Sequence, residues 1–211
     1  MLGFQNWFLS SLGSSFLELQ FLSWRVKLLR AGFSGNDLNT SDKSRPITVL
    51  GIGNPIFSDD GAGLQVVKLV RERLETAKMG SRVECRELST GGLDLLFEIE
   101  GCRSLIIVDA YLGPDGKPGQ VRILDKKEIG EPGVCHASMH SISLSNALLL
   151  GRELGYRMPD NIEIVVIDID PENACFGDKL TDPVARSLDV ACDEVFRLIN
   201  RFVLMYENEM G

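Results

Sequence analysis

Ile47-Thr-Val-Leu-Gly-Ile-Gly53 runs directly into Asn54-Pro-Ile-Phe-Ser-Asp-Asp-Gly-Ala-Gly63, and this stretch decides the fold. Its first half is apolar, β-branched and closed by glycines, as a buried strand entering a loop should be. A helical period follows, with Leu64, Val67, Leu69, Val70 and Leu74 sharing one face from Gly61 to about Lys78. Outward from this unit the same alternation repeats. Arg82–Leu88 reads as a second strand, Leu93–Glu100 as a short helix and Ser104–Asp109 as a third strand, apolar on both faces. Gly119–Leu124 reads as a fourth strand behind the Pro- and Gly-containing loop 113–118, and Ser141–Leu154 as a helix stopped by Gly155. Ile162–Asp168 is a fifth strand and Asp182–Tyr206 a long closing helix. Strands separated by helices of this length imply crossover connections and a sheet covered on both faces. The expected fold is α/β: a three-layer α/β/α sandwich around a mostly parallel, twisted sheet of about five strands. No internal repeat is visible.

The chain has 211 residues, 44% hydrophobic and 25% charged, which describes a globular protein able to bury a core. Its net charge of −8 argues against nucleic-acid or anionic-membrane partners, which need a positive field. The charge is uneven. Residues 1–46 hold five basic and three acidic groups, net +2, leaving −10 for residues 47–211. Phe4–Leu29 is rich in Phe, Trp and Leu, yet polar residues interrupt it too often for a bilayer span, and no basic residue precedes it as in a signal peptide. Residues 31–46 then read as a polar linker. The expected organisation is an N-terminal extension over 1–46, a folded domain over 47–206 and a short tail over 207–211. The extension reads as a poorly ordered tail, an upstream start wrongly assigned, or an amphipathic helix. Five cysteines without a CxxC pair point to a reduced, cytoplasmic protein and away from a disulfide framework or a cysteine zinc site.

In sheets of this kind function collects beyond the carboxyl ends of the strands. The first such loop fails as a dinucleotide fingerprint, because GxGxxG would need a third glycine where Ile56 stands, and it is not a GxxxxGK[ST] phosphate cradle. Asp59 and Asp60 would also repel a pyrophosphate from the helix start. The loop does offer hard oxygen ligands. One aspartate could simply cap the helix, Asp59 being the better placed. Asp109 ends an apolar strand, where it contributes little to packing; it either initiates a turn or points into the crevice. The two histidines, His136 and His140, are four residues apart just before a helix expected to start at the same sheet edge. Carboxylates from the first loop and the third strand plus an imidazole make a mixed oxygen and nitrogen set suited to a borderline divalent ion such as nickel or zinc.

GIGNPIFSDDGAG (51–63), STGGLDLL (89–96), LIIVDA (105–110) and MHSISLSNAL (139–148), in that order, resemble the hydrogenase maturation endopeptidase family over about residues 47–200. The resemblance implies a protease that removes a C-terminal extension from the precursor of the [NiFe]-hydrogenase large subunit once nickel has been inserted. It implies that Asp60, Asp109 and His140 are the metal-binding and catalytic residues, with nickel supplied by the substrate's active site and no organic cofactor. It leaves His136 without a counterpart and makes Thr90, Gly91 and Gly92 a cleft wall or an ordinary turn. Members begin within a few residues of the first strand, so residues 1–46 depart from the pattern. HExxH and the D[ST]G pair of pepsin-type enzymes are absent, leaving a metal-assisted route and an aspartic-type carboxylate base both open. The partner implied is the precursor, met by a cytoplasmic monomer with no stable membrane insertion. Two other readings are a non-catalytic chaperone that checks nickel loading and a nucleotide-binding Rossmann-like protein.

Deleting residues 1–44 is expected to leave a soluble, active domain; aggregation of the truncated protein would show that the aromatic segment packs on the body.

Overall fold

The computed structural model describes residues 47–89, 93–112, 116–124 and 144–209. The extension expected over residues 1–46 lies outside them, as do Thr90, Gly91, Gly92, His136 and His140. The described residues belong to the second of the two units into which the chain divides, Ser44–Gly211.

The elements follow the expected alternation. Strand β1 is Ile47–Ile52, helix α1 Ala62–Thr76, β2 Val83–Leu88, α2 Leu93–Ile99 and β3 Ser104–Tyr111. Next come β4 at Val121–Ile123, α3 at Leu144–Glu153, β5 at Asn161–Asp168 and α4 at Asp182–Glu209. Among the described residues these strands form one five-stranded sheet in the order β2-β1-β3-β5-β4. All neighbours are parallel except β4, a three-residue edge strand that pairs antiparallel with β5 through Val121 and Ile167. The three-layer sandwich is therefore present.

Its core lies on both faces of the sheet, which is why the parallel strands read as unbroken apolar runs. Ile47, Val49, Ile106 and Val108 face α1 and α4, meeting Val67, Val70, Leu198 and Phe202. Leu50, Ile52, Leu105 and Ile107 face the other way, onto Leu96 and Ile99 of α2 and Leu144 of α3. Helix α4 runs three residues past the expected stop at Tyr206. Arg82 pairs with Glu207 at 2.7 Å and Arg103 pairs with Glu209, while the Arg103 guanidinium lies 4.1 Å from the Tyr206 ring centroid. Among the described residues no helix is long and apolar enough to cross a membrane.

The strand order reverses between β1 and β3, because the chain leaves β1 for β2 on one side and then returns to β3 on the other. A crevice opens at such a switch point. Helix α1 starts over it, and Gly63 makes that approach possible. A Cβ on Gly63 would lie 2.3 Å from the Ile52 carbonyl oxygen and 2.4 Å from that of Val108. Both are strand backbone and cannot swing aside. Alanine normally stabilises a helix interior by about 1 kcal/mol over glycine. Here the overlap should win, and Gly63→Ala is expected to lower the unfolding free energy by about 1–3 kcal/mol in a denaturant titration; a variant as stable as the parent would contradict this close approach.

Candidate active site

The loop beyond β1 turns back over the strand ends through a 3-10 turn, Ser58–Gly61, that leads into α1. Gly53 permits the fold-back. A Cβ there would lie 2.1 Å from the backbone carbonyl oxygen of Asp60. The two adjacent aspartates consequently take different partners. Asp59 is fully buried and accepts hydrogen bonds from the Thr181 backbone N–H at 2.6 Å and the Thr181 hydroxyl at 2.8 Å. It therefore does not cap its own helix, whose N-cap residue Gly61 makes no side-chain cap bond. Instead it pins the start of α4, from 122 residues away. Asp60, also buried, accepts from the Asn54 backbone N–H at 3.0 Å.

Asp109 enters from the neighbouring strand. It lies between Ile107 and Tyr111, which face α2 and α3, so strand alternation puts its side chain on that face. It is 2% exposed, and its Oδ1 has no hydrogen-bond partner among the described residues. Burial raises its pKa well above the ordinary carboxylate range, the nearby Asp60 charge raises it further, and the Ala110 backbone N–H offsets this only in part.

A fourth buried carboxylate provides the contrast. Asp168, at the end of β5, is held by Arg122 of β4 through Nε at 2.9 Å and Nη2 at 2.6 Å. The guanidinium also lies 5.1 Å from the Tyr111 ring centroid. Asp168 has its cation within the fold; Asp109 is buried beside another acid. The sequence reading missed the Arg122–Asp168 pair, although an aspartate closing the apolar run Ile162–Asp168 carried the same signal as Asp109.

The structure thus brings two of the three expected site residues, Asp60 and Asp109, to the switch-point crevice. His140 and His136 lie outside the described residues, and among the described residues no group of three His, Cys, Asp or Glu side chains could hold a metal ion. Helix α3, which follows the histidines in the chain, begins at Leu144, buried in the layer that Asp109 faces. Two buried carboxyl groups that feel each other's charge can share a proton or receive a cation.

The family model described as hydrogenase maturation protease matches residues 64–198. The chain is similar to the hydrogenase 2 maturation protease of Escherichia coli, 28% identical over 149 residues that cover 71% of this chain and 87% of that protein. It is similar also to the coenzyme F420 hydrogenase subunit delta of Methanothermobacter thermautotrophicus, 29% identical over 160 residues that cover 71% of this chain and 94% of that protein. An endopeptidase from Escherichia coli solved in solution superposes with a TM-score of 0.56 at 27% identity, covering 71% of this chain and 88% of the other. The hydrogenase maturating endopeptidase HybD from the same species shares the fold, with a TM-score of 0.57 at 23% identity over 74% of this chain and 92% of that one. With a family match that spans most of the sheet and its helices, this chain belongs to the hydrogenase maturation protease family.

Proposed function

We propose that this endopeptidase removes the C-terminal extension of a [NiFe]-hydrogenase large-subunit precursor after nickel insertion, and that Asp60, Asp109 and His140 engage the nickel carried by that substrate. The observation that carries the reading is Asp109, a buried carboxyl group with an acid for a neighbour and an oxygen that has no partner among the described residues. Such a group is costly in a folded protein unless it completes something brought from outside. A divalent ion would supply the missing countercharge, and two hard oxygens with one imidazole form a set that nickel accepts. An ion held there can polarise a carbonyl and acidify a bound water.

The chain's own residues do the rest. The Asn54 N–H orients Asp60, β3 fixes Asp109, and the apolar layers around β1 and β3 limit access of bulk water. Asp109 must give up its proton to engage a cation. Nickel binding should therefore weaken as pH falls. Cys85, Cys102, Cys175 and Cys192 are free, in keeping with a cytoplasmic location. We take the working form to be a monomer without a resident cofactor.

Replacing Asp60, Asp109 or His140 by alanine should lower processing of purified nickel-loaded precursor by about 10²–10⁴-fold, read as loss of the shortened product by mass spectrometry. Near-normal cleavage by any one variant would remove that residue from the site. His136→Ala should have a milder effect. Binding of the precursor without any shortening by the parent protein would favour a chaperone.

Asp109 also makes a stability prediction. Its folded-state pKa lies above the ordinary value of 3.8, so between the two values the folded protein holds more protons than the unfolded chain. Stability due to this group is consequently lost as pH rises through that window. Asp109→Asn should melt above the parent at neutral pH, and the difference should shrink as the solution is acidified towards the ordinary value. A variant less stable than the parent at neutral pH would contradict the burial of an uncompensated charge.

A further inference from the structure

The loop carrying Asp60 is clipped to the segment between β5 and α4. Ser58 N–H donates to the Gly177 carbonyl at 2.8 Å, Gly177 N–H donates to the Ile56 carbonyl at 3.1 Å, and the Ser58 hydroxyl donates to the Lys179 carbonyl at 2.6 Å. Phe57 packs on Phe176 with ring centroids 4.6 Å apart. Asp59 adds its two bonds to Thr181. Five hydrogen bonds and a ring contact thus hold the clip together. It nevertheless presents apolar side chains to solvent, with Phe176 78% and Ile56 54% exposed. Other large exposed apolar residues, such as Val190 and Leu204 on α4, need no explanation singly. Here two of them share one hydrogen-bonded clip, and Ile56 is four residues before Asp60.

The charge around the clip leans acidic. Glu172 and Asp178 are exposed near Phe176 in the chain against one lysine, Lys179, while Asp182 beyond them pairs with Arg186 at 4.0 Å. An apolar centre with an acidic border favours a partner segment with an apolar anchor next to basic residues.

We infer that the clip of Ile56, Phe57 and Phe176 is the docking surface for the precursor polypeptide beside its cleavage site, taking an apolar side chain of a segment that also carries lysine or arginine. This rests on the function proposed above and adds where the client is gripped. Because the clip is already held by backbone hydrogen bonds, docking orders little of the enzyme, and the exposed ring supplies the kind of aromatic anchor that dominates interfaces.

The test uses the full chain and nickel-loaded precursor. Phe176→Ser and Ile56→Ser should each raise KM for processing about tenfold or more while kcat is kept, and Phe176→Leu should largely restore it. Added salt should raise KM for the parent, and Glu172→Gln with Asp178→Asn should flatten that dependence. Both changed side chains are exposed, so unchanged melting temperatures are expected and would separate docking from folding. An unaltered KM in Phe176→Ser alongside normal cleavage by the parent overturns the docking surface alone. Failure of the parent to bind or cut the precursor overturns the function and the docking surface together. A parent that is a dimer, made monomeric by Phe176→Ser with KM unchanged, would assign the clip to a second copy of this chain and also overturn the inference.

Discussion

A carboxyl group buried beside a second acid, with no cation paired to it among the described residues, is the constraint around which the site is arranged. Asp109 sits at the end of a central strand with an unpartnered oxygen, close enough to Asp60 for the second charge to raise its pKa further. Folding alone gives no reason to keep such a pair, since an asparagine or a hydrophobic residue would fit the same place at lower cost. Stability forgone at one place in a close-packed domain is the usual sign of a site whose chemistry needs it.

The surrounding architecture makes this arrangement possible. The strand order reverses between β1 and β3, and Gly63 lets α1 start directly over the gap. Asp59 spends its carboxylate on Thr181, which ties the loop to α4 and leaves Asp60 to the crevice. Arg122 neutralises Asp168 at the end of β5. Two of the buried acids thus have partners within the fold, Thr181 for Asp59 and Arg122 for Asp168, whereas Asp109 keeps an oxygen with no partner among the described residues. Hydrogen bonds joining Ile56–Ser58 to Gly177 and Lys179 then clip the loop that carries Asp60 to the segment before α4, with the Phe57 and Phe176 rings packed together.

Much of this was legible in the sequence because burial on both faces leaves an unmistakable apolar run. Ile47–Ile52 and Ser104–Tyr111 could hardly be anything but central strands, and glycines followed by a helical period placed α1. The polar residues at the strand ends were legible for the same reason, since Asp109 stands against an apolar background. Other features depend on distant partners. The antiparallel direction of β4 is set by pairing with β5, and three residues at a sheet edge carry no sign of it. Asp59 looked like a local cap because the competing donor, Thr181, is far along the chain. The run of α4 to Glu209 likewise reflects arginines on other elements, Arg82 and Arg103. Spacing does not separate His140 from His136; the family resemblance alone points to His140, and both lie outside the described residues.

The most direct measurement is a carbon-detected NMR titration of the Asp109 side-chain carboxyl in the intact protein, with and without added nickel ion. The account predicts a carboxyl that stays protonated well above the ordinary range and loses that proton at the same pH when nickel is present. An Asp109 that titrates like a surface aspartate and does not respond to the ion would contradict it.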